Sequence, residues 1–187
     1  MDNPIAAIAL GAMWVFFLLT WTIPSFRRNE PHEVLESLGL GAFITLVILV
    51  YGGVWKTTSS RAGTIASIPL QLLALVLVIG SFHALKTKGK PTDSWEQTTV
   101  VVKGGVYRVA RHPMYLGTGL WAISIAVSRQ GTNTALLSGA VALLTFLAGI
   151  TEDRYNVRKF GQPYVDYMKT VPLLWRFGAR HHRSDGA

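Results

Sequence analysis

The stretch Gly105-Val106-Tyr107-Arg108-Val109-Ala110-Arg111-His112-Pro113-Met114-Tyr115-Leu116-Gly117 joins the most cationic loop of the chain to a long apolar run. Arg108 and Arg111 supply fixed positive charge, and His112 supplies a group that titrates near neutral pH. Tyr107 and Tyr115 bring flat faces with hydroxyl tips. Gly105 and Gly117 let backbone approach a ligand closely. Pro113 suits the first turn of a helix and pushes His112 out of the helical region. The stretch therefore reads as a loop that turns into a helix, with His112 at the helix N-terminus. Free N–H groups and partial positive charge there favour an anionic ligand group. The same residues also suit a juxtamembrane basic anchor with interfacial tyrosines, and composition alone favours that reading.

Outward from this stretch the chain is apolar. Half of its 187 residues are hydrophobic, 15% are charged, and the mean hydropathy is +0.33. A soluble domain of this length carries more charge, and here the apolar residues are gathered into runs, as in a membrane protein. There is no cysteine, which excludes disulfides, thiolate metal sites and thiol catalysis. The net charge is +8, but the cations cluster between apolar runs and in the tail. That distribution fits membrane lipid headgroups better than nucleic acid.

Five apolar runs are long enough, or nearly so, to cross a bilayer core of about 30 Å. They are Pro4 to Ile23, closed by Pro24; Leu38 to Trp55, rich in glycine; Gly63 to Leu85, with Pro69 inside; His112 to Ser128; and Thr134 to Ile150. The last continues as a helical pattern through Glu152, Asp153 and Arg154 to Phe160, where Gly161 and Pro163 stop it. Residues 25–37 read as a polar connection with His32 a solvated loop residue, and His83 as an interfacial or packed histidine. Thr98 to Val102 is β-branched and suits a short extended segment. Tyr164 to Lys169 forms a short amphipathic segment, Trp175 suits the interface, and the tail from Arg176 is basic. The expected fold is an all-α integral membrane protein with five transmembrane helices. Residues 1–85 hold three of them, 86–175 form a core with helices four and five, and 176–187 form the tail.

Charge sets the expected topology. With the N-terminus outside, only Lys56, Arg61 and Arg129 lie in outer segments, and the remaining Lys and Arg fall on the inner side. Such a bias places the C-terminus in the cytosol. The 86–111 loop and the Glu152 region then share the cytosolic face.

The order Gly105-x-Tyr107-x-x-x-Arg111-His112-Pro113-x-Tyr115 resembles the core motif of the isoprenylcysteine carboxyl methyltransferase family and its phospholipid methyltransferase relatives. Val101-Val102-Lys103-Gly104 before it, Glu152-Asp153, Phe160-Gly161-x-x-Tyr164-x-x-Tyr167 and Val171-Pro172 after it follow the same pattern. The resemblance implies a small helical membrane enzyme that uses S-adenosylmethionine. Its cofactor would be held by Val101, Val102, Gly105, Tyr107, Arg111, His112, Pro113, Tyr115 and Glu152. Glu152 would take the cofactor's amino group, and Arg111, His112 or the helix N-terminus its carboxylate. Glu152, Arg111 and His112 are the candidate catalytic residues. The implied partner is an amphiphilic or lipid-like small molecule reached from within the membrane, with no nucleic acid and no metal. Two positions depart from the family pattern: Thr99 stands where many relatives carry histidine, and Thr145 to Ile150 lacks the arginine of prenylcysteine-processing relatives. Two other readings remain at this point: a membrane reductase using NADPH, and a scaffold or sensor that keeps the fold without the chemistry.

Overall fold

The computed structural model describes residues 4–92 and 98–174. Trp175 and the basic tail lie outside the described residues. The apolar runs fold as helices, because in hydrocarbon a helix satisfies its own backbone N–H and C=O groups. These are α1 (Pro4–Phe17), α2 (Ile23–Arg27), α3 (Pro31–Tyr51), α4 (Arg61–Lys88), α5 (Pro113–Ser128), α6 (Thr132–Phe160) and α7 (Gln162–Thr170). A wide π-helical turn, Leu18–Thr22, joins α1 to α2.

Among the described residues, four helical stretches are long and apolar enough to cross a membrane: Ala7–Arg27, Pro31–Tyr51, Arg61–Lys88 and Thr132–Phe160. The apolar helix Pro113–Ser128 is shorter. The chain is thus an all-helical, multi-pass membrane protein. Large side chains such as Ile65, Leu72, Val76, Leu136 and Leu143 point outward and exposed. Such a surface is a liability in water and the ordinary one in lipid.

Two expectations for the first connection need correction. Pro24 does not close the first helix, which runs on to Arg27. The π turn restarts the helix just before Pro24, so the proline occupies a first-turn position where no N–H is needed. Residues 25–37 are not one polar loop either: α3 begins at Pro31, again proline in a first turn. His32 is therefore a buried helical residue rather than a solvated loop residue.

The helices pack as antiparallel neighbours, α4 on α5, α5 on α6 and α6 on α3, with α1 at the periphery against α3. Leu46, Ile125 and Val141 are fully buried where α3, α5 and α6 meet, and the Phe43 and Trp121 rings meet edge-on at 6.0 Å beside them. Packing of this kind relies on small residues, since lipid tails are as apolar as leucine. Gly41 is the clearest case: a Cβ there would lie 2.9 Å from the Trp14 ring, whose Nε1 donates to Thr45 Oγ1 at 3.0 Å. Among the described residues there is no strand, so Thr98 to Val102 is irregular. The one backbone bridge pairs Thr58 with Gln130. That bridge ties the α3–α4 and α5–α6 connections together at one end of the bundle. The α2–α3 turn, residues 89–92 and 98–112, and α7 gather at the other.

Candidate active site

His112 sits just before α5, out of helical geometry at φ −121° and ψ 63°, with Pro113 opening the helix. Its ring packs on Gly149 of α6, where a Cβ would stand 3.3 Å from the imidazole. That close approach brings the ring between two successive carboxylates. Nδ1 lies 3.1 Å from Glu152 Oε2, and Nε2 lies 2.8 Å from Asp153 Oδ1. Burial alone would lower the His112 pKa. The Glu152 charge and the hydrogen bonds the ring donates to both carboxylates outweigh it and raise the pKa to about 9. At neutral pH the ring is an imidazolium with both nitrogens engaged.

Arg111 faces the other way. Its Nη2 lies 2.7 Å from Asp153 Oδ2, and its Nη1 donates to the Val171 and Met168 carbonyls at 2.6 and 3.3 Å. Its backbone N–H donates to the Pro172 carbonyl at 3.0 Å. Tyr164 adds a third bond to Asp153, 2.7 Å from its hydroxyl to Oδ1. Tyr167 donates to the Tyr107 carbonyl at 2.6 Å. Asp153 is thus a hub that clamps α7 and the 105–112 segment to α6. Burial pushes the Tyr107, Tyr164 and Tyr167 phenols up, so all three stay neutral donors.

Glu152 points differently from its neighbour. Its side chain is 27% exposed against 11% for Asp153, and the exposed part faces a cavity of about 710 Å³. Such a volume suits a cofactor or drug-sized ligand. Asn156 donates to Glu152 Oε1 at 3.2 Å. The Tyr115 ring stacks on His112 at 5.7 Å, and its hydroxyl donates to Glu36 Oε2 at 3.1 Å.

Of the residues singled out by sequence, Val101, Val102, Tyr107, Arg111, His112, Tyr115 and Glu152 line this cavity. Gly105 and Pro113 do not. Gly105 makes the turn into a short 3-10 segment at φ +66°, and Pro113 is buried in the first turn of α5. His83 is exposed and does not line the cavity. Sequence reading missed one whole wall, the α2–α3 junction with Trp21, Arg28, Glu30, His32, Glu33 and Glu36. The signal was there: Pro31 at a helix start, with His32 and Glu36 one turn apart on one face. It also treated Asp153 only as half of an acidic pair. Among the described residues no group of three or more His, Asp or Glu is placed to hold a metal ion.

The fold and site define a class: a multi-pass helical membrane protein with a polar cavity walled by an Arg-His-Pro turn and an acidic pair. A family model described as phospholipid methyltransferase matches residues 62–163, just over half of the chain. The chain belongs to the phospholipid methyltransferase family, and it is a methyltransferase-class enzyme. It is similar to protein-S-isoprenylcysteine O-methyltransferase A of Arabidopsis thaliana, 26% identical over 155 residues, which are 80% of this chain and 76% of that one. The Schizosaccharomyces pombe protein-S-isoprenylcysteine O-methyltransferase is 35% identical over 74 residues, 39% of this chain and 31% of that one. Its Saccharomyces cerevisiae counterpart is 34% identical over 98 residues, 48% of this chain and 35% of that one. No solved structure matches the chain.

Proposed function

We propose that this chain is an S-adenosylmethionine-dependent methyltransferase acting on a small amphiphilic or lipid-like substrate. The observation that carries the reading is the exposed edge of Glu152 beside the His112 imidazolium in a cavity of cofactor size. The donor set suits a zwitterion that carries a second positive charge. Glu152 would hold the cofactor's ammonium. The free N–H groups of the first turn of α5 and the imidazolium would favour its carboxylate. Val101, Val102 and Tyr107 would border the adenine, and Tyr115 would shape the pocket beside His112. Arg111 would act at one remove, by holding Asp153 and α7 in place. The cofactor supplies a methyl group already activated on a sulfonium. The protein's part is to position the acceptor, exclude water and steady the charges.

We place the cavity at the cytosolic face, with the N-terminus outside and five crossings. Lys56, Arg61 and Arg129 belong to the bridged end of the bundle, and the basic loops belong to the cavity end, a bias that supports this orientation. α5 would be the short crossing, about 24 Å for its 16 residues. A lipid-like acceptor would enter sideways between helices.

The test is calorimetric binding of S-adenosylmethionine and its demethylated product to purified protein in detergent, with Glu152→Ala alongside and NADPH as control. Saturable binding of the methyl donor, lost in the variant, is expected. Binding of NADPH with no response to either sulfur compound would overturn the proposal.

A further inference from the structure

Tyr115 has one proton to give and two carboxylates within reach of it. Its hydroxyl faces Glu36 of α3 and Glu152 of α6, and the hydrogen bond goes to Glu36 Oε2 at 3.1 Å. A phenol has a single O–H, which serves one acceptor well at a time. The rest of the side chain is held in place. Its ring lies along the His112 imidazole, planes 11° apart and centroids 5.7 Å apart. What stays free is the direction of the O–H bond, which turns toward the better-placed acceptor.

Glu152 is already partly occupied. Its Oε2 lies 3.1 Å from the His112 Nδ1, and its Oε1 takes the Asn156 amide at 3.2 Å. A carboxylate has about four lone-pair sites, so room remains on the edge that meets the cavity. A ligand ammonium needs that room. A Tyr115 proton turned onto Glu152 would fill part of it and would blunt the charge that attracts the cation. Glu36 offers that proton a different home. It stands one turn after His32 on the face of α3 that walls the cavity.

Resting on the methyltransferase reading above, we infer that Glu36 is a positioning residue that draws the Tyr115 proton away from Glu152 and so keeps Glu152 open to the ammonium of the methyl donor. Glu36 acts at one remove, through Tyr115, and does not itself hold the donor. This differs from a plain charge on the wall in what it requires. The benefit of Glu36 disappears when residue 115 carries no hydroxyl. An uncharged acceptor at position 36 preserves it, because the phenol needs only an oxygen to donate to. A ligand without an ammonium does not feel it.

The experiment is a double-mutant cycle on the whole protein in detergent, read by calorimetric binding of S-adenosylmethionine. Glu36→Ala should weaken donor binding about tenfold, within the range of couplings between residues in contact. In the Tyr115→Phe background, where no proton competes, the same substitution should change affinity by about twofold or less. Glu36→Gln, which keeps an acceptor oxygen and loses the charge, should restore most of what Glu36→Ala loses. Binding of 5′-methylthioadenosine, which has the adenosine and the thioether but no ammonium, should not follow the Glu36→Ala loss. An equal loss in both backgrounds, or a Glu36→Gln loss as large as that of Glu36→Ala, would make Glu36 a simple charge on the wall and overturn the inference. Equal weakening of 5′-methylthioadenosine would make it a prop for the whole cavity and overturn it too. Failure of the wild type to bind the donor would instead sink the methyltransferase reading itself, and this inference with it.

Discussion

The two ends of the helical bundle are built from the same helices and obey different rules. At the bridged end the connections are short. Thr58 and Gln130 exchange backbone hydrogen bonds of 2.9 and 2.7 Å, Ser60 caps α4, and the side chains nearby are small or exposed. At the cavity end, charges that would be costly inside a membrane are packed together and matched. Arg111, His112, Glu152, Asp153 and Tyr164 form one connected network across two helices and a loop. A buried charge survives only when paired and hydrogen-bonded. The contrast separates an end organised for joining helices from one organised to hold charge against a cavity.

The sharpest way to break this comparison is at Glu152. If its exposed edge holds the donor, Glu152→Gln should lower kcat/KM by about 10³-fold and abolish measurable donor binding, with a smaller loss of melting temperature than Asp153→Asn because His112 keeps its bond to Asp153. A normal donor affinity in that variant would make the cavity end merely another structural junction. Next in size is Asp153→Asn. This removes the charge shared by Arg111, His112 and Tyr164, and breaking a buried pair costs about 3 kcal/mol or more. Denaturant or thermal unfolding in detergent should show that loss. Activity should fall with it, because α7 and the 105–112 segment come loose together.

A pH series sharpens the same point. The His112 pKa is raised by its carboxylate neighbours to about 9, against about 6.5 for an unfolded histidine. A raised value means the folded state holds the proton more tightly. The stabilisation is therefore complete below about pH 6.5 and is lost as pH rises through about 9. Melting temperature should fall over that window in the wild type. The fall should be smaller in His112→Gln, which carries no titrating ring. Equal pH dependence in both proteins would remove His112 from the account.

Much of this was legible in the sequence, for physical reasons that differ by region. Apolar runs have to become helices in a membrane, so the cores of the long helices α1, α3, α4, α5 and α6 were readable from hydropathy. Pro113 and the cations around it marked the loop that turns into α5. Residues 111–112 and 152–153 meet because α5 and α6, which lie between them, pack antiparallel. The α2–α3 junction was obscured because prolines serve in two ways. Pro24 read as a breaker and Pro31 lay unremarked in a polar stretch, yet both sit in first turns where a missing N–H costs nothing. His32 was consequently misplaced. The division of labour between Glu152 and Asp153 was not readable either. Adjacent helical residues point about 100° apart, and which one meets the cavity depends on how α6 turns its Gly149 face toward His112.

The smallest expected effect tests the other end of the comparison. Ser60 Oγ accepts from the Gly63 N–H at 3.0 Å, the N-cap bond of α4, and Gln130 Nε2 lies 3.4 Å from the same oxygen. Losing such a cap costs about 1 kcal/mol, so Ser60→Ala should lower the melting temperature slightly. α4 has 28 residues and is about 42 Å long, which separates this cap from the cavity by most of the membrane's thickness. Kinetic constants should therefore stay within about twofold of wild type, and the stability cost should add to that of Asp153→Asn within about 0.5 kcal/mol. Additivity would mean the bridged end and the cavity end are energetically separate. A coupling larger than that would mean the bridge helps set the angle at which α5 presents His112 to α6, and the division between the two ends would then be one of appearance only.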